Sequence, residues 1–223
     1  MGNPLEPAGR NQGARSLHPR EQLWTELACL GTTGALTELG DRVRLAFQAD
    51  EVPLESMQEF SLMFSVYCGW GLGAAMDGTI RREWTAVMQE RGAEILPWPV
   101  LGNDTLGPAD WEERLAGGEA MIKDVVHIDP PPRDTPYTQL GVLGFVFGQV
   151  WRRPGLSIRE RRIIATACCG AVGAAHAARH HVSAAVRAAD LTPAEVAELA
   201  AELRRRSPRA AEIGDALSAP GHP

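Results

Sequence analysis

The stretch Phe147-Gly-Gln-Val-Trp-Arg-Arg-Pro-Gly-Leu-Ser-Ile-Arg-Glu-Arg-Arg-Ile-Ile-Ala-Thr-Ala-Cys-Cys169 combines a sharp turn with a well-marked helix start. Pro154-Gly155 suits the two central positions of a type II turn, because proline fixes φ and glycine accepts the positive φ that follows. Ser157 and Glu160 have capping-box spacing, in which the hydroxyl accepts from a first-turn amide and the carboxylate reaches back. The stretch therefore predicts a turn followed at once by a helix.

A second predicted helix follows and carries a histidine among alanines. Ala177, His181, Ala184 and Ala188 share one face by the three-to-four residue rule. The small methyl groups leave space beside an imidazole whose ordinary pKa lies near neutrality, as a small-molecule site requires. His181 is therefore the candidate general acid/base. The alternative is a core histidine that donates to a carbonyl.

Three stretches carry a resemblance to a known family. Trp151-Arg-Arg-Pro-Gly-Leu156 with the helix after it, and His181-Val-Ser-Ala-Ala185, resemble the carboxymuconolactone decarboxylase family, related to alkylhydroperoxidase D-like proteins. Phe60-Ser-Leu-Met-Phe-Ser-Val-Tyr-Cys-Gly-Trp70 resembles the family's other signature helix. The similarity covers most of residues 18–92 and 136–205.

The resemblance implies an all-α fold, usually oligomeric, and lactone decarboxylation without a metal or organic cofactor. The family's histidine corresponds to His181 by the Val-x-Ala-Ala pattern that follows it, and not to His180. Members also include redox enzymes and proteins with no assigned activity, so the family alone does not define the chemistry.

Composition and charge narrow the classes of partner. Hydrophobic residues make up 44% and charged residues 22% of the 223 residues, which is ordinary for a globular protein. The formal charge of −6 argues against binding to a nucleic-acid backbone. No apolar run approaches the length of a membrane span. We expect a small-molecule substrate, no nucleic acid and no membrane.

The four cysteines, Cys29, Cys68, Cys168 and Cys169, are irregularly spaced, which favours a reducing cytoplasm over a disulfide framework. Redox members of the family carry cysteines seven and four residues before the histidine. Here those positions hold Ala174 and Ala177, which argues against thiol redox chemistry.

An internal repeat is indicated by a shift of 140 residues. Asp50-Glu-Val-Pro-Leu-Glu55 then falls on Asp190-Leu-Thr-Pro-Ala-Glu195, and Asp41 falls opposite His181. Thr192 begins a helix strongly, as an N-cap followed by proline and, three residues on, by glutamate. The chain is predicted to be a duplicated all-α fold, divided into a leader (1–17), a first repeat (18–92), a linker with a proline-rich segment (93–135), a second repeat (136–215) and a tail (216–223).

The first repeat is expected to hold one long apolar helix from Pro53 to Met76, and the linker a helix from Asp110 to Ile122. The apolar helix carries more hydrophobic surface than one stripe can bury, so we expect a homo-oligomer that covers part of it. One functional site is expected, built from the histidine helix of the second repeat and the aromatic helix of the first.

The candidate site has further members, each with a structural alternative. Tyr67 could donate to an enolate oxygen, and Trp70 and Trp151 could line the pocket, although core packing also explains all three. Arg162 or Arg179 could bind a substrate carboxylate, although either could form a salt bridge instead.

Cys168 and His180 complete the candidate substrate-binding set. His176 and His180 are four residues apart and could hold a metal, but a third ligand and the glutamate of the HExxH pattern are missing, so a solvated face is favoured. The acidic residue that commonly precedes the histidine in decarboxylases of the family is also missing, since Ala177, Ala178 and Arg179 stand there.

The sequence predicts a cofactor-independent lyase or isomerase that performs acid/base chemistry on a small lactone, keto acid or polyketide-like substrate, by decarboxylation, isomerisation or cyclisation. A natural-product tailoring cyclase or rearrangement enzyme is the close alternative. A non-catalytic binding or assembly protein is the alternative of another class. A cavity that touches His181 would distinguish an enzyme from the last of these.

Overall fold

The computed structural model describes residues 16–95 and 107–210, which form helices and turns with no β-strand in these ranges. The all-α prediction is confirmed. A π-helix spans Tyr137–Phe147 and a 3-10 helix spans Val150–Arg152. The α-helices are α1 (Pro19–Thr33), α2 (Leu36–Gln48), α3 (Leu54–Cys68), α4 (Trp70–Glu90), α5 (Trp111–Val126), α6 (Ile158–Ala171), α7 (Ala175–Arg187) and α8 (Pro193–Arg206).

Local capping signals set several helix starts as predicted. The Ser157 hydroxyl accepts from the Glu160 amide, and the Glu160 carboxylate accepts from the Ser157 amide at 2.9 Å. Thr192 and Glu195 form the same reciprocal pair at the start of α8. The Asp110 side chain accepts from an amide in the first turn of α5, which runs four residues beyond the predicted end. The turn before α6 has its glycine at φ +91°, as a type II turn requires.

The repeat recurs in the structure with an offset of 139 residues, not 140. Helices α1, α2 and α3 start 139 residues before α6, α7 and α8 respectively. The sequence match is one residue out because Pro53 is the N-cap of α3, whereas Pro193 is the first residue inside α8. In the structural register Arg42, and not Asp41, stands opposite His181.

The two helix triplets interlock. Helices α1 and α6 pack against each other, α3 packs on α6, and α8 packs on α1, so that the third helix of each triplet contacts the first helix of the other. At their junction Trp24 of α1 stacks on Phe60 of α3 with ring centroids 5.1 Å apart. This exchange brings the C-terminal end of α3 beside the second triplet.

The prediction of one long apolar helix from Pro53 to Met76 is wrong. The helix ends at Cys68, and Gly69 takes φ +98° and ψ 148° before α4 begins at Trp70. The large apolar side chains of α3 are fully buried within the chain, namely Met57, Phe60, Met63 and Phe64. The apolar surface that led to the expectation of an oligomer is therefore covered largely from within.

The linker contributes α5, which packs on the π-helix and also contacts α7. Leu115, Ile122 and Leu143 form a small second core between α5 and the π-helix. Trp98 and most of the predicted leader and tail lie outside the described residues. No helix in the described part of the chain is long and apolar enough to cross a membrane.

Candidate active site

His181 projects from α7 into a group of aromatic rings. Its imidazole lies parallel to the Trp151 indole with centroids 5.8 Å apart and meets the Tyr67 ring edge-on at 5.4 Å. Only 6% of the residue is exposed. The prediction of free space beside the alanine face is therefore wrong. Aromatic rings occupy that space, because the interlocked triplets bring α3 and the 3-10 helix against α7.

Tyr67 is held by a hydrogen bond that sequence analysis did not reveal. The Trp151 Nε1–H donates to the Tyr67 hydroxyl oxygen at 2.9 Å, and Trp151 in turn stacks on Phe147 at 5.7 Å. Burial raises the pKa of Tyr67 far above its ordinary value, so the hydroxyl stays protonated. Because the indole N–H occupies one lone pair of the oxygen, the hydroxyl hydrogen remains able to donate.

Arg162 places a buried cation close to the imidazole. The residue is 2% exposed, and its Nε lies 2.9 Å from an Asp190 carboxylate oxygen. Its Nη2 donates to the Asp124 carbonyl at 3.3 Å, whereas Nη1 is buried without a hydrogen-bond partner. Of the two arginines proposed from sequence, Arg162 is the one that the fold brings to His181.

The surroundings of His181 favour its neutral form. Burial first, and then the positive charge of Arg162 and the neighbouring His180, lower the pKa of His181 to about 4. The imidazole is neutral at pH 7, and its Nδ1 is buried without a hydrogen-bond partner. Among the described residues, the charges that act on the imidazole are those of Arg162 and His180, and neither is a carboxylate.

Arg161 is a further buried cation that sequence reasoning missed. It is fully buried, its Nη2 donates to the carbonyls of Arg153 and Pro154, and the same atom lies 3.4 Å from a Glu59 carboxylate oxygen. Its Nε and Nη1 have no hydrogen-bond partner, and its charge acts on Tyr67. The available signal was the run Arg159-Glu-Arg-Arg162 in the first turns of the helix that Ser157 caps, but the sequence does not show that Arg161 and Arg162 face the core.

Three of the predicted site residues are not brought to the imidazole. Trp70 is 62% exposed at the start of α4 and packs on Phe145. Arg179 is exposed on α7. His180 points to another face of α7 and pairs with His176.

Cys168 lies in the core instead of a pocket. It is fully buried, and its carbonyl accepts from the Cys68 thiol at 3.9 Å. Burial raises the pKa of the Cys168 thiol well above its ordinary value, with a smaller contribution from a hydrogen bond to Cys68. A protonated thiol is a poor nucleophile, which agrees with the absence of the redox motif.

The equivalent location in the first triplet holds ion pairs. In the 139-residue register, Arg42 replaces His181 and Arg206 replaces Tyr67. Both arginines contact Glu26, which lies 2.7 Å from Arg42 Nε and 3.0 Å from Arg206 Nη1. Equivalent positions in the two triplets therefore hold one aromatic–histidine group and one charged cluster.

Comparison with known proteins supports the family resemblance in the second half of the chain. Residues 136–211, about a third of the chain, match the model of the carboxymuconolactone decarboxylase family. This segment contains Trp151, Arg162 and His181. The resemblance stated from the sequence is confirmed there.

A search of curated proteins finds similarity to the omega-amidase NIT2 of Bos taurus. The two are 38% identical over 93 residues, which are 41% of this chain and 32% of that protein. The chain thus spans about a third of the length of the curated relative that it matches.

Proposed function

We propose that the chain is a carboxymuconolactone decarboxylase-like acid/base enzyme, in which His181 moves a proton and Arg162 binds the carboxylate of a small lactone or keto acid. The observation that carries this proposal is the cluster of buried nitrogen atoms without partners on His181 and Arg162. Each such atom costs about 1–3 kcal/mol when it is left unpaired. An anionic substrate would supply the missing acceptor for Arg162.

The chemistry follows from the protonation states. A neutral His181 imidazole can accept a proton from the carbon next to a carbonyl group, which leaves an enolate. The Tyr67 hydroxyl can donate to the enolate oxygen as its negative charge develops. Binding of an anion beside Arg162 offsets the positive charge that depresses the His181 pKa, so the imidazole becomes more basic with substrate present.

Decarboxylation, isomerisation and cyclisation of such substrates can each pass through an enolate intermediate. The same residues can therefore act in each of these reactions. In a decarboxylation the carboxylate leaves as carbon dioxide, the electron pair of the broken carbon–carbon bond forms the enolate, and His181 relays a proton from solvent to the enolate carbon. In an isomerisation or cyclisation it removes the first proton.

One observation favours a second candidate, a non-catalytic binding or assembly protein. His181 is packed by rings, and two cavities in the described part of the chain lie elsewhere. One of about 670 Å³ is lined by residues that include Leu17, Glu21 and Arg159. The other, of about 280 Å³, lies beside Arg152 and Pro154. Substrate entry therefore requires a ring beside His181 to move.

A substrate panel tests the proposal. Carbon dioxide release from carboxylated lactones, and deuterium uptake from heavy water next to the carbonyl of small keto acids, are measured for wild type and variants. His181→Gln is expected to lower turnover by roughly two to four decades, with the helix content seen by circular dichroism unchanged. Tyr67→Phe is expected to lower it by about 10²-fold.

His18→Ser is the matched control, because it removes an imidazole far along the chain and keeps a capping side chain at the start of α1. Near-normal turnover in His181→Gln would remove this residue from the mechanism. The non-catalytic candidate would be supported if the wild-type protein is inactive on the whole panel and the His181 resonance does not shift when small carboxylates are added.

A further inference from the structure

A pair of imidazoles lies on an outer face of α7, apart from His181. His176 is exposed, His180 is half-buried, and their Nε2 atoms are 3.2 Å apart. The ring planes are inclined by 78°, with centroids 4.4 Å apart. The i, i+4 spacing on one helix holds both rings over the same turn. Two imidazole nitrogen atoms therefore converge on one point at the surface.

The separation of the two nitrogen atoms fits one metal ion between them. With metal–nitrogen bonds of about 2.0–2.1 Å, two ligands lie about 3.3 Å apart at a tetrahedral angle and about 2.9 Å apart at a right angle. The observed 3.2 Å falls between these values. Little rearrangement is needed for both Nε2 atoms to bind the same ion.

The local charges leave His180 ready to act as a ligand. Burial first, and then His176 and Arg179, lower the pKa of His180. A neutral imidazole offers a lone pair, whereas an imidazolium does not. In the metal-free state one ring can donate its Nε2–H to the other; metal binding requires that ring to take the Nδ1–H tautomer. The positive charge of Arg179 repels a bound cation, so the free energy of binding to two imidazoles must exceed this repulsion.

We propose that His176 and His180 form a binding site for one divalent transition-metal ion of the Zn²⁺ type, with solvent completing the coordination shell. Imidazole is a preferred ligand of such ions. Within the described residues, no group of three or more His, Cys, Asp or Glu side chains is placed to hold a metal, so this part of the chain contributes two ligands. The site lies on a different face of α7 from His181.

Isothermal titration of the full chain with Zn²⁺ at pH 7.5 tests the proposal. One equivalent is expected to bind saturably, and His176→Gln or His180→Gln should each weaken binding by about tenfold or more, because either change removes the chelate. His18→Ser is expected to bind as wild type. Lowering the pH to 5.5 should weaken binding, since protons compete for the imidazoles.

Thiols are the competing ligands, and Cys68 is the half-buried one. Cys68→Ser should keep the Zn²⁺ affinity, and imidazole ¹⁵N spectra should show shifts at His176 and His180 on addition of the ion. Absence of saturable binding up to millimolar Zn²⁺ would overturn the proposal. So would binding that survives both histidine substitutions or disappears in Cys68→Ser. Turnover is measured separately, because His180 also contributes to the low pKa of His181.

Discussion

At the scale of single residues, the second triplet buries two arginines and a histidine with incomplete hydrogen bonding. The nitrogen atoms without hydrogen-bond partners belong to Arg161, Arg162 and His181, while Arg20 and His127 carry one each elsewhere in the described residues. Buried polar groups without partners are rare in folded proteins and destabilising. Their concentration on two helices that pack together, α6 and α7, distinguishes this location from ordinary packing.

The ionisation of His181 can be measured without a substrate. We expect its imidazole to titrate near pH 4 in nuclear magnetic resonance spectra, because burial and the Arg162 charge disfavour the imidazolium. Arg162→Gln should raise this pKa, and Arg162→Lys, which keeps the positive charge, should leave it low. A His181 resonance that titrates near 6.5 in the wild-type chain would contradict the buried, cation-flanked environment.

The same pKa predicts how stability depends on pH. The unfolded imidazole binds a proton near pH 6.5 and the folded one near 4, so stability is full above pH 6.5 and is lost as the pH falls towards 4. Between pH 7.5 and 5.0 the loss from His181 is about 2 kcal/mol. Urea denaturation at the two pH values should show a smaller loss in His181→Gln. An equal loss in variant and wild type would place the pH dependence in other groups.

At the scale of helices, Gly69 sets where α3 ends and therefore where Tyr67 lies. Its φ of +98° and ψ of 148° are available almost only to glycine. Gly69→Ala should lower the free energy of unfolding by about 1–3 kcal/mol, although a Cβ there would meet no atom within 4 Å.

Gly71→Ala is the matched control for Gly69→Ala. Gly71 lies two residues away inside α4, and a Cβ there also has open space. Because the backbone there is helical, alanine is expected to be neutral or stabilising by up to about 1 kcal/mol. Thermal denaturation of both variants separates backbone strain from crowding, and equal stability of the two would remove the strain argument.

Helix starts were predictable because their signals lie within four residues of each other, as at Ser157 and Thr192. The break at Gly69 was missed because the apolar pattern continues through it, and a single glycine in a helical pattern does not define a positive φ. The offset was misplaced by one residue for a related reason. Pro53 and Pro193 look alike in sequence, but one lies outside its helix and the other inside.

The contact between Tyr67 and His181 was anticipated as a meeting of two helices, but its composition was not. Trp151 donates to Tyr67, which lies 84 positions earlier in the sequence. Arg162 on α6 pairs with Asp190, which lies between α7 and α8. Such contacts depend on how α3 and α6 interlock, which periodicity does not encode. Whether an imidazole faces space or an indole ring is decided by that packing.

At the scale of the whole molecule, the two triplets keep the same helix register but carry different side chains at equivalent positions. The location around Glu26 is occupied by ion pairs, whereas the location around His181 combines ion pairs with buried nitrogen atoms that lack hydrogen-bond partners. The proposed activity therefore resides in one of two equivalent positions. The first triplet contributes Tyr67 to it through the interlocked helix α3.

An exposed apolar surface remains on the side formed by the π-helix and the start of α4. Its members are Trp70, Tyr137 and Leu140, and the last two are 77% and 56% exposed. The π-helix has no charged residue along its eleven positions. Large exposed apolar side chains grouped on one side of a chain are a candidate interface.

We expect the chain to form a homo-oligomer through this surface, with a mass by light scattering above the 24.1 kDa of one chain at micromolar concentration. Leu140→Lys should shift the population towards monomer, because a charge in the interface must lose its hydration. Leu45→Lys is the matched control, since Leu45 on α2 is also 56% exposed but stands beside Arg44 on a charged face. A wild-type chain that scatters as a 24.1 kDa monomer would exclude the oligomer, and equal effects of the two lysines would place the interface elsewhere.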